Sequence, residues 1–252
     1  MTALRRLAAA LCCAAVLAPG LAGCEQAGPA RGFVPRYEEP AEGDRDGARF
    51  LKGRELAEAV AADLNAYLSL PYRITVLARS CAGDGTGYDP RQHRIELCYD
   101  DLAEERKLFE DADHRPADEP LAEVVRETLY HEAGHALVDA LGLPVREDDR
   151  AEEDAADRFA QLMLLRGRPE GEQALLTAAR AYDLAAAADP APDPADEHAP
   201  AAVRAESHRC AVYGAAPARH QDLADPSRTA CPTTWTRTRE AWTRDLAPLL
   251  RP

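Results

Sequence analysis

The stretch YHEAGHALVDALG, residues 130–142, sets His131 and His135 four residues apart, with Glu132 directly after the first. On an α-helix, residues four apart lie one turn apart on the same face, so both imidazoles can turn toward a common zinc ion. Glu132 stands about 100° around the helix, close enough to reach a water on that ion without ligating it. Zinc brings the pKa of such a water toward neutrality, and a carboxylate that takes its proton makes it a nucleophile for a carbonyl carbon. The expected roles are His131 and His135 as ligands, with Glu132 as general base and then acid to the leaving group. Gly134 removes a side chain beside the site, which lets a substrate or a neighbouring strand come close.

A catalytic zinc needs a third protein ligand and one open position. A third histidine in the arrangement H-E-x-x-H-x-x-G-x-x-H is excluded, because Val138 and Leu141 occupy its glycine and histidine positions. The run EEDAAD offers Glu153 and Asp157, four apart on a stretch whose Phe159, Leu162 and Met163 would pack it against the first helix. Glu153 is the expected third ligand, and Asp157 would accept the other ring N–H of His131 or His135 and fix its tautomer. Glu152 is the rival ligand, since it shares helical phase with Phe159. Asp139, one turn beyond His135, is expected as an outer partner of the site rather than as a ligand. Acyl transfer also needs a donor for the developing oxyanion, for which His198 and Arg204 are candidates, ahead of Tyr130 and Tyr213. His93, His114, His208 and His220 read as surface or structural residues.

The elements that must hold these residues are legible from periodicity and punctuation. RELAEAVAADLNAYL has Leu56, Val60, Leu64 and Leu68 at spacings of four, a helix ended by Pro71. YRITVLARSC and HRIELCYD read as two strands around the turn-forming AGDGTGYDPRQ, a hairpin. DLAEERKLFED is a short helix. A longer one runs from about Pro120 to Leu141 and stops at Gly142, and another from about Arg150 to Arg166. EGEQALLTAARAYDLAAAA is helical, DPAPDPADEHAP a loop, and two more helices follow, ending near Gly214 and around TWTRTREAWTRDLAPLL. Two strands with six or seven helices make the fold class α+β, mostly α.

At 252 residues with 44 acidic and 30 basic side chains, the chain carries a net charge of -14. Nucleic acid and anionic surfaces are poor partners for it, and basic or neutral substrates fit better. Residues 1–23 read as a processing signal: Arg5 and Arg6, the apolar run LAAALCCAAVLAPG, and LAGC ending at Cys24. LAGC resembles the bacterial lipobox, with Cys24 as the lipidated residue; the alternative is soluble secretion after a nearby cut. The Arg pair leaves Sec and twin-arginine export both open. Without Arg5 and Arg6 the charge becomes -14 - 2 = -16. Residues 24–48 are rich in Gly, Pro and charge and read as a tether, with the domain at 49–252. Cys81, Cys98, Cys210 and Cys231 then remain, an even number suited to an oxidising compartment, and sequence-local pairing is the simplest of three connectivities.

HEAGHALVD followed by EEDAAD resembles the thermolysin-like (gluzincin) metallopeptidases, which pair H-E-x-x-H with a downstream E-x-x-x-D. Residues 50–250 more closely resemble the bacterial family of exported proteins labelled putative metallopeptidases, a domain of unknown function. That resemblance is carried by YDP and IELCYD in the cysteine hairpin, the HEAGH helix, LPVREDDRAEEDAADRFA, DEH at 196–198, Arg204, CAVYG, and a late cysteine before a tryptophan. It implies a zincin-like fold, Glu153 as third ligand and a Cys210–Cys231 bridge. The chain departs from the family in the Gly-rich CAGDGTGYD, where Asn-Ala is expected, and in REDDRAEED, where a glycine usually precedes the acidic pair. Both departures bear on loop geometry more than on the metal site. The resulting expectation is a lipid-anchored, extracytoplasmic zinc metallopeptidase acting on a peptide or protein, with the membrane engaged only through Cys24 and no nucleic acid bound. The alternatives are a non-catalytic envelope lipoprotein with a structural zinc clamp, and an amidase of cell-wall peptide.

Overall fold

The computed structural model describes residues 31–251 apart from 115, 167–168, 190 and 192–194. The signal segment and Cys24 lie outside the described residues. Four strands form one sheet in the order β1 (Gly32–Tyr37), β2 (Arg73–Arg79), β4 (Arg94–Cys98), β3 (Gly87–Asp89). The first three are parallel and β3 runs antiparallel to β4.

Two sequence expectations are corrected here. The strands at 73–79 and 94–98 are not a hairpin: they pair in parallel, Thr75 opposite Arg94 and Arg79 opposite Cys98. Parallel neighbours need a connection that runs back to the starting end, and residues 80–93, with β3 inside them, provide it. The Cys81–Cys98 disulfide therefore clasps two strand ends that point the same way. Residues 32–48 are not tether either. Phe33 pairs with Ile74 in β1, and helix α1 spans Arg45–Gly53. The proline in GFVPRY hid the strand, but an edge position tolerates it. Asn65, on α2 (Leu56–Tyr67), completes that edge: its Oδ1 accepts from the Phe33 amide at 2.9 Å and its Nδ2 donates to the Phe33 carbonyl at 2.8 Å. Gly32 permits this approach, since its φ is +84° and a Cβ there would sit 2.1 Å from Asn65 Oδ1.

The helices are α3 (Asp101–Asp113), α4 (Asp118–Leu141), α5 (Asp149–Leu164), α6 (Pro169–Ala188), α7 (Ala201–Ala215) and α8 (Cys231–Asp245). Helix α4 is central. Leu121, Leu129, Ala133, Ala136, Leu137 and Val138 are buried around its circumference, as expected of a helix covered on every side. It ends at Gly142 in the left-handed conformation, where the Leu143 amide returns to the Val138 carbonyl. Asp148 caps α5 by accepting the Ala151 amide. Phe159 of α5 packs against Trp242 of α8, and Cys210–Cys231 ties α7 to the start of α8. Architecture and order, a small sheet near the N-terminus followed by helices, make the protein α+β and mostly α. Among the described residues no helix is long and apolar enough to cross a membrane.

Candidate metal centre

The packing of α4 on α5 builds the centre. A Cβ on Gly134 would lie 2.7 Å from Ala156 Cα, so glycine lets the two backbones approach here. The neighbour it admits is a helix, not the substrate or strand the sequence suggested. At that crossing His131, Glu132 and His135 from α4 meet Glu152, Glu153 and Asp157 from α5.

Nε2 of His131 and Nε2 of His135 are 3.1 Å apart. Glu153 spans them, with Oε2 3.1 Å from the first and Oε1 3.2 Å from the second. Donor atoms at the usual 2.0–2.1 Å from one tetrahedral ion stand about 3.3 Å from each other, so these three side chains fit a divalent cation of the imidazole-and-carboxylate kind. Glu132 Oε2 is buried and lacks a hydrogen-bond partner, which is a cost unless something else occupies the centre. The other nitrogens are held from behind. Asp157 Oδ1 is 2.9 Å from His131 Nδ1, and Glu152 Oε1 is 2.9 Å from His135 Nδ1. Carboxylates placed there fix each ring so that Nε2 faces the centre.

The electrostatics reflect this crowding. Burial alone would lower both imidazoles, but Asp157 and Glu153 hold His131 up at about 10, and Glu152 and Glu153 hold His135 at about 9. Burial works against Glu153 ionising, yet hydrogen bonds from His131, His135 and His198 keep it far below the usual carboxylate range. Burial raises Glu132, leaving it a stronger base than a surface glutamate. A bound cation takes the place of the protons this cluster otherwise holds.

His198 arrives from the loop before α7. Its Nε2 lies 3.0 Å from Glu153 Oε2, and its Nδ1 faces Asp196 Oδ1 at 3.1 Å. Arg150, in the first turn of α5, fastens this loop by donating to the carbonyls of Asp196 and Glu197. Arg204 was an oxyanion candidate; its guanidinium is instead committed to Asp157, at 3.0 Å from Nε and 2.6 Å from Nη2, and lies over the Tyr182 ring. Tyr130 turns away and donates to Asp63. Asp139, expected as an outer partner of the site, hydrogen-bonds to neither His131 nor His135. It accepts from Tyr88 at 3.1 Å and faces His93 and Arg146, because one turn past His135 the helix face looks at β3 rather than α5. Glu152 holds the outer position assigned to Asp139.

Sequence reasoning missed the buried group behind His131. Glu127 and His208, nearly without solvent exposure, pair at 3.0 Å, and Gln161 Nε2 lies 3.2 Å from the other His208 nitrogen. A glutamate one turn before His131, on the same helix face, was the available signal. His208 is structural, as read. His220 pairs with Glu172, His93 stacks on Tyr72, and His114 ends α3 in the left-handed conformation.

A family model described as "Putative metallopeptidase" matches residues 37–246. The chain belongs to this putative metallopeptidase family. Membership agrees with the cluster at the α4–α5 crossing, since a metallopeptidase requires a metal site reachable by a peptide. In this family member His131, Glu132, His135, Glu152 and Glu153 line a cleft of about 270 Å³, together with Thr86, Gly87 and Tyr88. No curated protein and no solved structure matches the chain.

Proposed function

We propose that the protein is a zinc-dependent peptidase of the gluzincin kind, exported and anchored through a lipid on Cys24. The carrying observation is the triangle of His131 Nε2, His135 Nε2 and the Glu153 carboxylate, 3.1–3.2 Å on its edges, beside the unpartnered Glu132 Oε2. His131, His135 and Glu153 would hold the zinc, which when bound supplies Lewis acidity to a carbonyl and lowers the pKa of a water.

The chain's own residues do the rest. Glu132, raised by burial, takes the proton of the attacking water and returns it to the leaving amine. His198, oriented by Asp196, donates toward the oxygen of the tetrahedral carbon. Its imidazole is raised by the hydrogen bond to Glu153, the direction that favours a donor in this role. Asp157 and Glu152 hold the two ligand rings, and Arg204 holds Asp157. A peptide in the cleft lies along β3, an edge strand whose Gly87 and Tyr88 form part of the wall. The open cleft favours this reading over a purely structural clamp, which needs no access. Export is supported by Arg5, Arg6, the apolar run and LAGC at 21–24, and by two disulfides, which persist in oxidising compartments.

The test is metal analysis of the purified mature protein together with a peptide-library digest. About one zinc per chain is expected. Cleavage should be lost in Glu132→Gln with zinc retained, and loss of zinc from that variant, or cleavage by it at the unaltered rate, would overturn the assignment.

A further inference from the structure

A second cavity, again of about 270 Å³, opens from the metal centre toward α3. It shares His131, Glu132 and His198 with the first cleft, so whatever binds at the centre has access to it. Its walls combine two chemistries. Leu97, Leu102, Val124 and Val125, all buried, supply an apolar sleeve. Asp101, Glu104, Glu105 and Glu127 supply carboxylates.

Most charge around this cavity is already answered. Glu127 has His208, and Asp101 accepts the Thr86 amide at 2.8 Å. Arg204, the arginine in the wall, is bound to Asp157 and lies over Tyr182. The basic residues next to Glu105 in sequence are engaged elsewhere, Arg106 with Asp118 and Lys107 with Asp111. Glu105 is not: its Oε2 is buried with no hydrogen-bond partner. Burial, with Glu127, Asp101 and Glu104 adding to it, pushes its carboxyl up to about 7. Glu132, only 6% exposed and with an unpartnered Oε2, lines the same cavity. A buried carboxylate is costly until a cation joins it, and an apolar sleeve ending in one suits a long aliphatic stem with a charged tip.

We propose that this cavity is the subsite for a lysine or arginine side chain flanking the scissile bond, with Glu105 receiving its cation. The assignment rests on the peptidase reading above. It agrees with a chain whose net charge of -14 favours basic ligands.

The experiment separates the two. Zinc-loaded Glu132→Gln protein is titrated with peptides identical except for one residue, lysine, arginine, leucine or glutamate, while the unaltered protein is assayed for cleavage of the same set. Lysine and arginine peptides should bind about tenfold or more tightly than the leucine peptide. Adding Glu105→Gln should shrink that ratio to within about threefold, and Glu105→Lys should turn the preference toward glutamate. Leucine binding as well as lysine, a ratio untouched by Glu105→Gln, or no peptide binding would overturn the subsite. Selective binding of basic peptides with no cleavage by the unaltered protein would uphold the subsite and overturn the peptidase reading.

Discussion

Glu152 and Glu153, adjacent in the chain, contact opposite nitrogens of one imidazole: Glu152 Oε1 lies 2.9 Å from Nδ1 of His135, and Glu153 Oε1 lies 3.2 Å from its Nε2. The two carboxylates therefore do different work, one facing the metal position and one holding the ring that faces it.

Glu153→Ala should lower zinc affinity by more than about 100-fold, because a ligand atom is gone, whereas Glu152→Ala and Asp157→Asn should each lose roughly 10 to 100-fold. Competition with a chelator of known affinity measures all three. Glu152, the rival ligand in the sequence, affects affinity through the ring it holds, since its carboxylate lies on His135 Nδ1 and not on the metal side. A larger loss in Glu152→Ala than in Glu153→Ala would mean that the two residues exchange roles.

Gly134→Ala should destabilise the protein despite the gain of about 1 kcal/mol that alanine brings to a helix interior. The new Cβ would stand 2.7 Å from Ala156 Cα, a backbone atom that yields only if α4 and α5 separate. Overpacking of this kind costs about 1–3 kcal/mol. Urea unfolding should show the loss and zinc titration a weakened site; unchanged stability and affinity would show that the helices do not approach so closely.

Glu105→Gln should make stability less dependent on pH. The Glu105 carboxyl is raised in the folded protein from 4.5 to about 7, so between those values the folded chain holds a proton that the unfolded chain has released. Its contribution is fully present below about 4.5 and lost as pH rises through about 7. Allowing for the partial exposure of the side chain, the change is on the order of 2 kcal/mol. Relative to the unaltered protein, Glu105→Gln should gain that much between pH 4.5 and 8 by chemical denaturation. A difference independent of pH would remove the buried carboxyl from the account.

Each disulfide closes a loop of about 20 residues and should contribute about 3 kcal/mol. Cys210→Ser with Cys231→Ser frees α7 from α8 and with it the elements that carry Arg204 and Trp242, so unfolding should shift and zinc affinity should fall. Cys81→Ser with Cys98→Ser loosens the ends of β2 and β4 and should act mainly on stability. Equal loss of zinc affinity in both pairs would argue against this division.

Cys24→Ala should abolish incorporation of labelled fatty acid and leave the exported protein unanchored or unprocessed. Continued lipidation would refute the anchor.

What the sequence determined by itself is what repeats within one helical turn. The spacing in HEAGH sets His131 and His135 on one face and Glu132 beside them before any packing is known. The Glu153–Asp157 spacing likewise puts both on one face of α5, and the structure finds them on the two nitrogens of His131. The helices from 56 onward, the cysteine pairs and the mostly α character also followed from local pattern. Tertiary structure decided the rest. The rotation of α5 against α4, set where Gly134 meets Ala156, makes Glu152 rather than Asp139 the partner of His135 and commits Arg204 to Asp157. The parallel sheet was illegible because pairing partners lie far apart in sequence, as Phe33 and Ile74 do, and a proline disguised the first strand. Glu105 gave no signal at all: on α3 it reads as one acid among many, and only the fold of α3 and α4 around one cavity leaves its carboxyl buried without a partner.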